Sequence, residues 1–330
     1  MKTIANKFWK NKKVLITGFE GFLGSNLVKA ILEKKAKVIG LDIKTFRKET
    51  ILCPQDYKKM VVYKGSVTNY NLIKNILREH SINIIFHLAA EAIVSHSQAN
   101  PLKTFKSNIA GTWNVLEAAR HQGDVEAIVV ASSDKAYGAH KKLPYREEAP
   151  LIANHPYDVS KSCADLITSA YFHTYDLPVA ITRCGNIYGP GDFNFNRLVP
   201  DAMRCLALDK ILQIRSDGTF TRDYVYIDNI VAGYIKIAEL MKKNSLSGEA
   251  FNLSNEKPIS VIKLLKEINS LNLCKNKLKF KIINTAKYEI KEQYLSAAKA
   301  RRILNWKPKH SLNEGLKKSL AFYINYFSKN

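Results

Sequence analysis

The sequence predicts an α/β fold in which helices cover both faces of a parallel, doubly wound sheet. Short apolar, largely β-branched runs recur along the first half of the chain, separated by segments with apolar residues at helical spacing. Runs that are apolar throughout are typical of parallel strands, because both sides of each strand are buried. A glycine-rich turn follows the first run, as is typical of doubly wound folds.

The strands and helices of the predicted sheet follow one another in order. Six runs are predicted to be strands: Val14–Ile16, Lys37–Leu41, Met60–Tyr63, Ile84–Leu88, Ala127–Ala131 and Val179–Arg183. Apolar spacing of three and four residues predicts the helices between them. These helices run from the glycine-rich turn to about Lys34, and over Asn71–Glu79, Ile109–Arg120 and about Tyr157–Tyr175.

The sequence pattern changes after Tyr188. The stretch GPGDFNFNRLVP, residues 189–200, is rich in Gly, Pro and Asn, and the apolar spacing beyond it is irregular. We therefore expect residues 1–187, together with about 224–252, to form the doubly wound domain. Residues 188–223 and 253–330 are expected to form a smaller, C-terminal substrate-binding region.

The charge balance is strongly basic. The 330 residues include 51 Lys and Arg against 29 Asp and Glu, for a net charge of +22. Such a balance attracts polyanions, and nucleic acid is one partner to weigh. The basic residues are spread along the chain without an Arg-rich tract, so a small anionic substrate is favoured over nucleic acid.

The cysteines and the apolar runs indicate in which compartment we expect the protein. The five cysteines, an odd number, are scattered without a CxxC pair, so neither a disulfide framework nor a metal site is predicted. The longest apolar runs are shorter than a membrane span, and the N-terminal segment lacks the apolar core of a signal peptide. We expect a cytoplasmic protein with no membrane partner.

The turn after the first strand has the spacing of a dinucleotide-binding loop. Gly18, Gly21 and Gly24 lie between a strand and a helix, where glycines permit a tight turn and close approach of the backbone to a pyrophosphate. Asp42 ends the second strand, about 20 residues further on, and suits a carboxylate that binds the adenosine ribose. Because this carboxylate would repel a 2′-phosphate, the sequence favours NAD over NADP in a Rossmann-type domain.

A tyrosine and a lysine in HPYDVSKSCADL have the spacing of a proton-transfer pair. Tyr157 and Lys161 are four residues apart and share one face of a helix, for which Pro156 is a plausible start. A lysine beside a tyrosine favours the phenolate and lowers the pKa of the tyrosine. The pair can then remove a hydroxyl proton while a hydride leaves for a nicotinamide.

Taken together, these motifs resemble the extended short-chain dehydrogenase/reductases that act on nucleotide sugars. The resemblance rests on the loop from Thr17 to Gly24, HLAA (87–90), the Ser pair before AYG, Tyr157 with Lys161, RCGNIYGPG (183–191) and RDYVYIDN (222–229). It implies Ser133, Tyr157 and Lys161 as catalytic residues and a homodimer packed through about Thr104–Arg120 and Tyr157–Tyr175. The implied cofactor-binding residues are Gly18, Gly21, Phe22, Leu23, Gly24, Asp42, Ser66, Val67, Leu88, Ala89, Ala90, Tyr157 and Lys161.

The two residues after Ser133 indicate the reaction. In the family's 4,6-dehydratases an acid and a base stand at these positions, whereas its epimerases usually have small or inert residues there. Asp134 matches the acid, and Lys135 stands where most dehydratases have Glu, a version that resembles the CDP-glucose 4,6-dehydratases. The resemblance therefore implies that water is eliminated across C5 and C6 of a nucleotide sugar after C4 oxidation. We expect burial and the nearby charges of Lys161 and the nicotinamide to favour a neutral Lys135.

Two other functions remain open. Asp134 and Lys135 could instead form an ion pair that shapes the turn of a nucleotide-sugar 4-epimerase or 4-dehydrogenase. The basic charge leaves a non-catalytic NAD-binding or nucleic-acid-binding protein as a more distant alternative.

The resemblance also implies three substrate-binding residues. Asn186 would lie at the edge of the sugar pocket, and Arg197 and Arg222 would hold the nucleotide diphosphate, whose geometry an Arg fork matches. Ser66 and Ser296 depart from the family, in which many members have Asp at these positions.

Overall fold

The computed structural model describes residues 7–271, 273, 276–285 and 289–328. Its central feature is a seven-stranded parallel sheet. The strands, in spatial order, are β11 (Ala250–Leu253), β6 (Val179–Cys184), β5 (Ala127–Ala131), β4 (Ile84–His87), β1 (Lys13–Thr17), β2 (Lys37–Asp42) and β3 (Met60–Lys64). The strand order reverses between β1 and β4, so the predicted doubly wound α/β fold is confirmed.

Helices cover both faces of this sheet. The helices are α1 (Phe22–Glu33), α2 (Pro54–Tyr57), α3 (Tyr70–His80), α4 (Val94–Ala99), α5 (Pro101–Phe105), α6 (Gly111–Gln122), α7 (Pro156–Tyr175), α8 (Leu198–Ala207), α9 (Ile227–Leu240), α10 (Val261–Ser270), α11 (Ala298–Leu304) and α12 (Leu312–Ser328). A π-helical turn, Lys106–Ala110, leads into α6, and a 3₁₀ helix, Asp134–Tyr137, follows β5.

The core forms two layers because alternate strand residues point to opposite faces. Val14 and Ile16 of β1 pack with α1 and α9, whereas Leu15, between them, packs with α3 and α6. All three side chains are fully buried. This alternation explains why the strands are apolar throughout their length.

The C-terminal region is built from short strands beside the main sheet. β7 (Asn186–Tyr188) pairs with β10 (Tyr224–Tyr226), β8 (Ile211–Ile214) with β13 (Lys279–Ile282), and β9 (Thr221–Arg222) with both β12 (Ile259–Ser260) and β14 (Glu292–Gln293). Helix α9 packs against the main sheet, and strand β11 pairs with β6 at its edge.

Two further findings concern the described part of the chain. None of its helices is long and apolar enough to cross a membrane. No group of three or more His, Cys, Asp or Glu side chains in those ranges is arranged to hold a metal ion. Cys274 and the first six residues lie outside the described residues.

Candidate active site

The candidate site lies where the carboxyl ends of β1, β4 and β5 meet. Thr17 is in register with His87, and His87 with Val130, so the segments that follow these strands emerge side by side. These segments carry the glycine-rich loop, residues 88–90 and residues 132–135. Ligands bind at this edge of doubly wound sheets, where the strand order reverses.

The glycine-rich loop has the close packing that the motif predicts. Gly18 has φ 72°, and a Cβ there would lie 2.8 Å from the backbone nitrogen of Ala89. A Cβ on Gly24 would lie 2.1 Å from the carbonyl oxygen of Gly18, so only glycine lets α1 cross the loop this closely. Helix α1 begins at Phe22 without a side-chain cap or an acidic residue in its first turn. Its free N–H groups therefore suit a pyrophosphate.

Asp42, the predicted ribose-binding residue, is the last residue of β2. Its Oδ2 accepts a hydrogen bond from the backbone nitrogen of Glu20 at 3.2 Å. Its Oδ1 accepts from the backbone nitrogen of Lys44 at 3.2 Å and pairs with Arg47 at 2.9 Å. A cleft of about 640 Å³ opens here, lined by Ile43, Lys44, Thr45, Arg47, Glu49 and Lys64.

Glu20, within the glycine-rich loop, holds the segment that follows Asp42 to this loop by hydrogen bonds. The Glu20 side chain is buried, and its Oε1 accepts hydrogen bonds from the backbone nitrogen of Phe46 at 2.7 Å and from the Tyr57 hydroxyl at 2.6 Å. Its Oε2 accepts from the backbone nitrogen of Arg47 at 3.4 Å. The two loops that would contact the two ends of an ADP moiety are therefore joined by one carboxylate.

The remaining predicted cofactor residues lie on the loops after β3 and β4. Val67 is buried against Gly111, and its carbonyl oxygen accepts a hydrogen bond from Asn114. Ser66 bonds to the Thr68 hydroxyl at 2.8 Å. The backbone nitrogens of Leu88 and Ala89 each donate to the Thr17 hydroxyl at 3.2 Å, and Ala90 continues the same half-buried loop.

Helix α7 carries Tyr157 and Lys161 at its start, with Pro156 as its first residue. The ammonium of Lys161 donates to the carbonyl oxygen of Ala131 at 2.7 Å, and burial lowers its pKa to about 8. Burial raises the pKa of Tyr157 to about 12, and Arg197 and Ser133 act against this rise. The pKa of Tyr157 is therefore raised and not lowered as expected, because burial outweighs the opposing effects, and the charge that opposes the rise is that of Arg197, not that of Lys161.

Asp134 and Lys135 occupy the 3₁₀ helix after β5. The Ser133 hydroxyl donates to Asp134 Oδ1 at 3.1 Å and accepts from the backbone nitrogen of Lys135 at 3.2 Å. Burial raises the pKa of Asp134, against the opposing effects of Lys135 and Ser133. Burial, followed by the charge of Arg222, lowers the pKa of Lys135. The lowering charge is thus Arg222, not the expected Lys161, and both shifts favour the neutral forms that an acid and a base require.

A buried network of hydrogen bonds supports the 3₁₀ helix that carries Asp134 and Lys135. Arg183 forms a two-pronged ion pair with Asp165, with both N–O distances 2.8 Å. It also donates to the Tyr137 hydroxyl at 2.9 Å, and that hydroxyl donates to Asn252 at 2.8 Å. The Gln293 side chain donates to the carbonyl oxygen of Asp134 at 3.0 Å. The turn is therefore held by the C-terminal region as well as by the main sheet.

The three predicted substrate residues surround the same edge of the sheet. Asn186, at the start of β7, is half buried and is paired in register with Tyr224. Arg197 forms an ion pair with Asp192 at 3.3 Å, and its charge acts on Tyr157. Arg222 is buried and donates to the carbonyl oxygens of Thr221 and Lys291, while its charge acts on Lys135.

His87 and Ser132 have structural contacts at the same strand ends. His87 is buried between the hydroxyls of Thr17 at 2.8 Å and Thr112 at 3.1 Å. Burial, aided by the charge of Lys161, lowers its pKa to about 3, so the ring is neutral at physiological pH. The Ser132 hydroxyl donates to the carbonyl oxygen of Lys161 at 3.4 Å and connects β5 to α7.

Three side chains at this site were not predicted from the sequence: Glu20, Asp158 and Gln293. Asp158 directly follows Tyr157 and is only 5% exposed. A polar stripe at helical spacing on α7, consisting of Asp158, Ser162 and Asp165, is the sequence signal that could have indicated it. Gln293 comes from a distant, irregular segment, and no local pattern marks it.

The fold and the Tyr–Lys helix define a dinucleotide-binding protein of the short-chain dehydrogenase/reductase class. Residues 15–319 match the family model described as GDP-mannose 4,6 dehydratase, and the chain belongs to this family of nucleotide-sugar dehydratases and epimerases. The predicted resemblance is confirmed.

Named relatives include both enzyme types. The chain is 32% identical to a UDP-glucuronate 4-epimerase of Thermodesulfobacterium geofontis, with 93% of this chain and 94% of that protein covered. It is 29% identical to a CDP-glucose 4,6-dehydratase of Salmonella typhimurium, with 72% and 68% covered. A solved dTDP-glucose 4,6-dehydratase of Bacillus anthracis in complex with NAD superposes with a TM-score of 0.83 at 27% identity, with 95% and 97% covered.

Proposed function

We propose that the protein is an NAD-dependent nucleotide-sugar 4,6-dehydratase that resembles the CDP-glucose enzymes. The observation that carries the proposal is that Asp134 and Lys135 stand next to each other shortly after β5, the strand that ends beside Lys161 of the Tyr157 helix. Burial raises the pKa of Asp134 and lowers that of Lys135, and both shifts favour the neutral forms of these side chains. An epimerase needs no second acid and base at this place, whereas elimination of water needs both.

The side chains of the site supply the proton transfers of such a reaction. The glycine-rich loop and Asp42 would hold NAD, which would supply the acceptor for the C4 hydride and its donor to C6. Tyr157, in its phenolate form, takes the proton of the 4-hydroxyl, and the resulting ketone acidifies the proton on C5. Lys135, as a neutral amine, removes that proton, and Asp134 protonates the departing 6-hydroxyl so that it leaves as water. Lys135 later returns a proton to C5.

Ser133 can return the proton that Tyr157 gains in the reaction to Asp134, which loses one. After one turnover Tyr157 has gained a proton and Asp134 has lost one. The Ser133 hydroxyl donates to Asp134 Oδ1 at 3.1 Å and is also a hydrogen-bond partner of Tyr157. The excess proton can therefore pass from Tyr157 through Ser133 to Asp134, which restores both groups.

The cofactor and the substrate fit the surrounding residues. A Cβ on Gly18 or Gly24 would collide with neighbouring backbone, so the loop backbone is bare, which supports binding of a pyrophosphate there. We assign Asp42 to the adenosine ribose. We assign Arg197 and Arg222 to the diphosphate of the nucleotide sugar and Asn186 to the sugar. The net charge of +22 favours such an anionic substrate.

Incubation in heavy water with a panel of nucleotide sugars tests the proposal. We expect loss of water and incorporation of deuterium at C5, both read by mass spectrometry. Lys135→Ala is expected to stop after C4 oxidation with NADH accumulated, whereas Lys135→Glu retains a base and serves as the matched control. Normal turnover by Lys135→Ala would remove Lys135 from the mechanism.

A 4-epimerase or 4-dehydrogenase is the second candidate function. It is favoured by the epimerase among the relatives and needs only Ser133, Tyr157 and Lys161. Its products keep the 6-hydroxyl and have no deuterium at C5, so the same experiment distinguishes it from the dehydratase.

We also propose that the protein is a homodimer packed through α6 and α7. Trp113 on α6 is 46% exposed, and Leu166 and Tyr175 on α7 are 61% and 52% exposed. Large apolar side chains at this exposure on neighbouring helices are typical of a covered surface.

A further inference from the structure

The first turn of α7 places a third carboxyl group, that of Asp158, beside the acid–base pair. Asp158, Ser162 and Asp165 lie at positions i, i+4 and i+7 and share one face of the helix. The Ser162 hydroxyl donates to the carbonyl oxygen of Ala136 at 2.9 Å. Asp165 pairs with Arg183, which reaches the Tyr137 hydroxyl. This face of α7 is therefore packed against the turn that carries Lys135.

Charged groups from several elements act on Asp158 and Lys135. Burial raises the pKa of Asp158 to about 6, while the charges of Lys135 and His155 lower it and that of Asp134 raises it. Lys135 is in turn affected by Arg222, Asp134, Asp158 and Glu289. Two carboxyl groups therefore act on the Lys135 amine, that of Asp134 on the same turn and that of Asp158 on the helix that contacts this turn at Ala136.

The proposed reaction places conflicting demands on Asp134. As the acid it must hold a proton, yet an adjacent ammonium on Lys135 would favour its ionised form. A single carboxylate is enough to balance one ammonium, so a second carboxyl group nearby removes the conflict if it takes the negative charge.

The helix geometry favours Asp158 as the group that takes the charge. It lies in the first turn of the 20-residue helix α7, where the helix dipole stabilises an anion. Asp134 lies in the first turn of a 3₁₀ helix of only four residues, whose dipole is small. Because an anion is more stable at Asp158, Asp134 can keep its proton.

We propose that Asp158 is a positioning residue that balances the ammonium formed on Lys135, so that Asp134 remains protonated and can act as the acid. This inference rests on the proposed dehydratase function. The proton from C5 stays on the Lys135 nitrogen, the negative charge stays on Asp158, and the proton of Asp134 leaves with the 6-hydroxyl as water.

Substitution of Asp158 separates steps that occur together in the wild type. In Asp158→Asn we expect C4 oxidation and C5 deuterium exchange to continue, because Tyr157 and Lys135 are retained. Loss of water should fall about a hundredfold, the lower range for removal of a general acid. NADH should then accumulate. Asp134, as the remaining partner of Lys135, should have a lower pKa, so the basic limb of the rate profile should move to lower pH.

Asp158→Glu is the matched control, because it keeps a carboxylate in the first turn of α7 and should restore loss of water. Unchanged dehydration in Asp158→Asn would overturn the inference. An equal loss of C4 oxidation and dehydration would also overturn it, since that result indicates a general disturbance of the helix start. A wild-type enzyme with neither C5 exchange nor loss of water would instead refute the proposed function itself.

Discussion

Replacing Arg183 by Met tests how the catalytic turn is held. Arg183 and Asp165 are both buried, with side-chain exposures of 7% and 4%, and their two N–O contacts are each 2.8 Å. Arg183 also donates to the Tyr137 hydroxyl and to the carbonyl oxygen of Glu147, each at 2.9 Å. Arg183→Met therefore removes four hydrogen bonds and leaves the Asp165 carboxylate buried without its cation.

The expected cost follows from that uncompensated charge. Breaking a buried ion pair by removing one partner costs about 3–5 kcal/mol of unfolding free energy. For a chain of 330 residues, that corresponds to a drop in melting temperature of roughly 4–7 °C. The double variant Arg183→Met/Asp165→Leu should recover most of the loss, because it replaces the pair by packed apolar groups.

Urea and thermal unfolding of the two variants measure these values. Lys279→Met is the control, since its pair with Asp209 is exposed and such pairs contribute at most about 1 kcal/mol. Both Arg183 variants should also lose activity, because Tyr137 shares a 3₁₀ helix with Asp134 and Lys135. A loss below about 1 kcal/mol in Arg183→Met, or a double variant no more stable than the single one, would refute this reasoning.

Three further predictions address charge and assembly. Removing the charge in Arg197→Gln should raise the pKa of Tyr157 and shift the acidic limb of kcat to higher pH, whereas a higher KM without that shift indicates only diphosphate binding. Burial raises the pKa of Asp223 to about 7, so its protonated form stabilises the fold at low pH. This contribution of up to about 4 kcal/mol is lost as pH rises from about 4 to 7. The unfolding free energy of Asp223→Asn should not show this fall between pH 5 and about 8. If it falls with pH as steeply as that of the wild type, Asp223 is not the group responsible. Leu166→Glu should yield monomers in light scattering, whereas Ile211→Glu, equally exposed on β8, should not; a Leu166→Glu dimer argues against the proposed interface.

The fold could be predicted well because its main elements are local patterns. The six predicted strands are present to within one residue at each end, since apolar β-branched runs in a parallel sheet are buried on both faces. Helices α4 and α5 were missed because they are only six and five residues long, too short to show a clear apolar spacing; α5 is capped by Asn100, which accepts from the backbone nitrogen of Lys103. The edge strand β11 was missed because AFNL is short and contains a polar residue, Asn252, that packs under Tyr137.

The candidate site was predictable only where motifs stand at strand ends. Ser133, Tyr157 and Lys161 could be placed together because β5 and α7 are adjacent in the chain and in space. The charge that acts on Lys135 was assigned to Lys161 instead of Arg222, because the position of Arg222 depends on how the C-terminal region packs on the turn. Asp158 was also not predicted, because its role depends on which face of α7 contacts residues 134–137, and this depends on tertiary packing.

The hydrogen bonds of Glu20 bear on the lifetime of the bound cofactor. A dinucleotide held between the glycine-rich loop and the segment after Asp42 would leave more readily if the two separated, but one buried carboxylate holds them together through three hydrogen bonds. Such a fastening would slow an ordinary dehydrogenase, which must exchange its cofactor at every turnover. An enzyme that regenerates its oxidised cofactor within each cycle has no such need. Glu20 is therefore expected to favour a long residence time, so that NAD acts as a resident group rather than a second substrate.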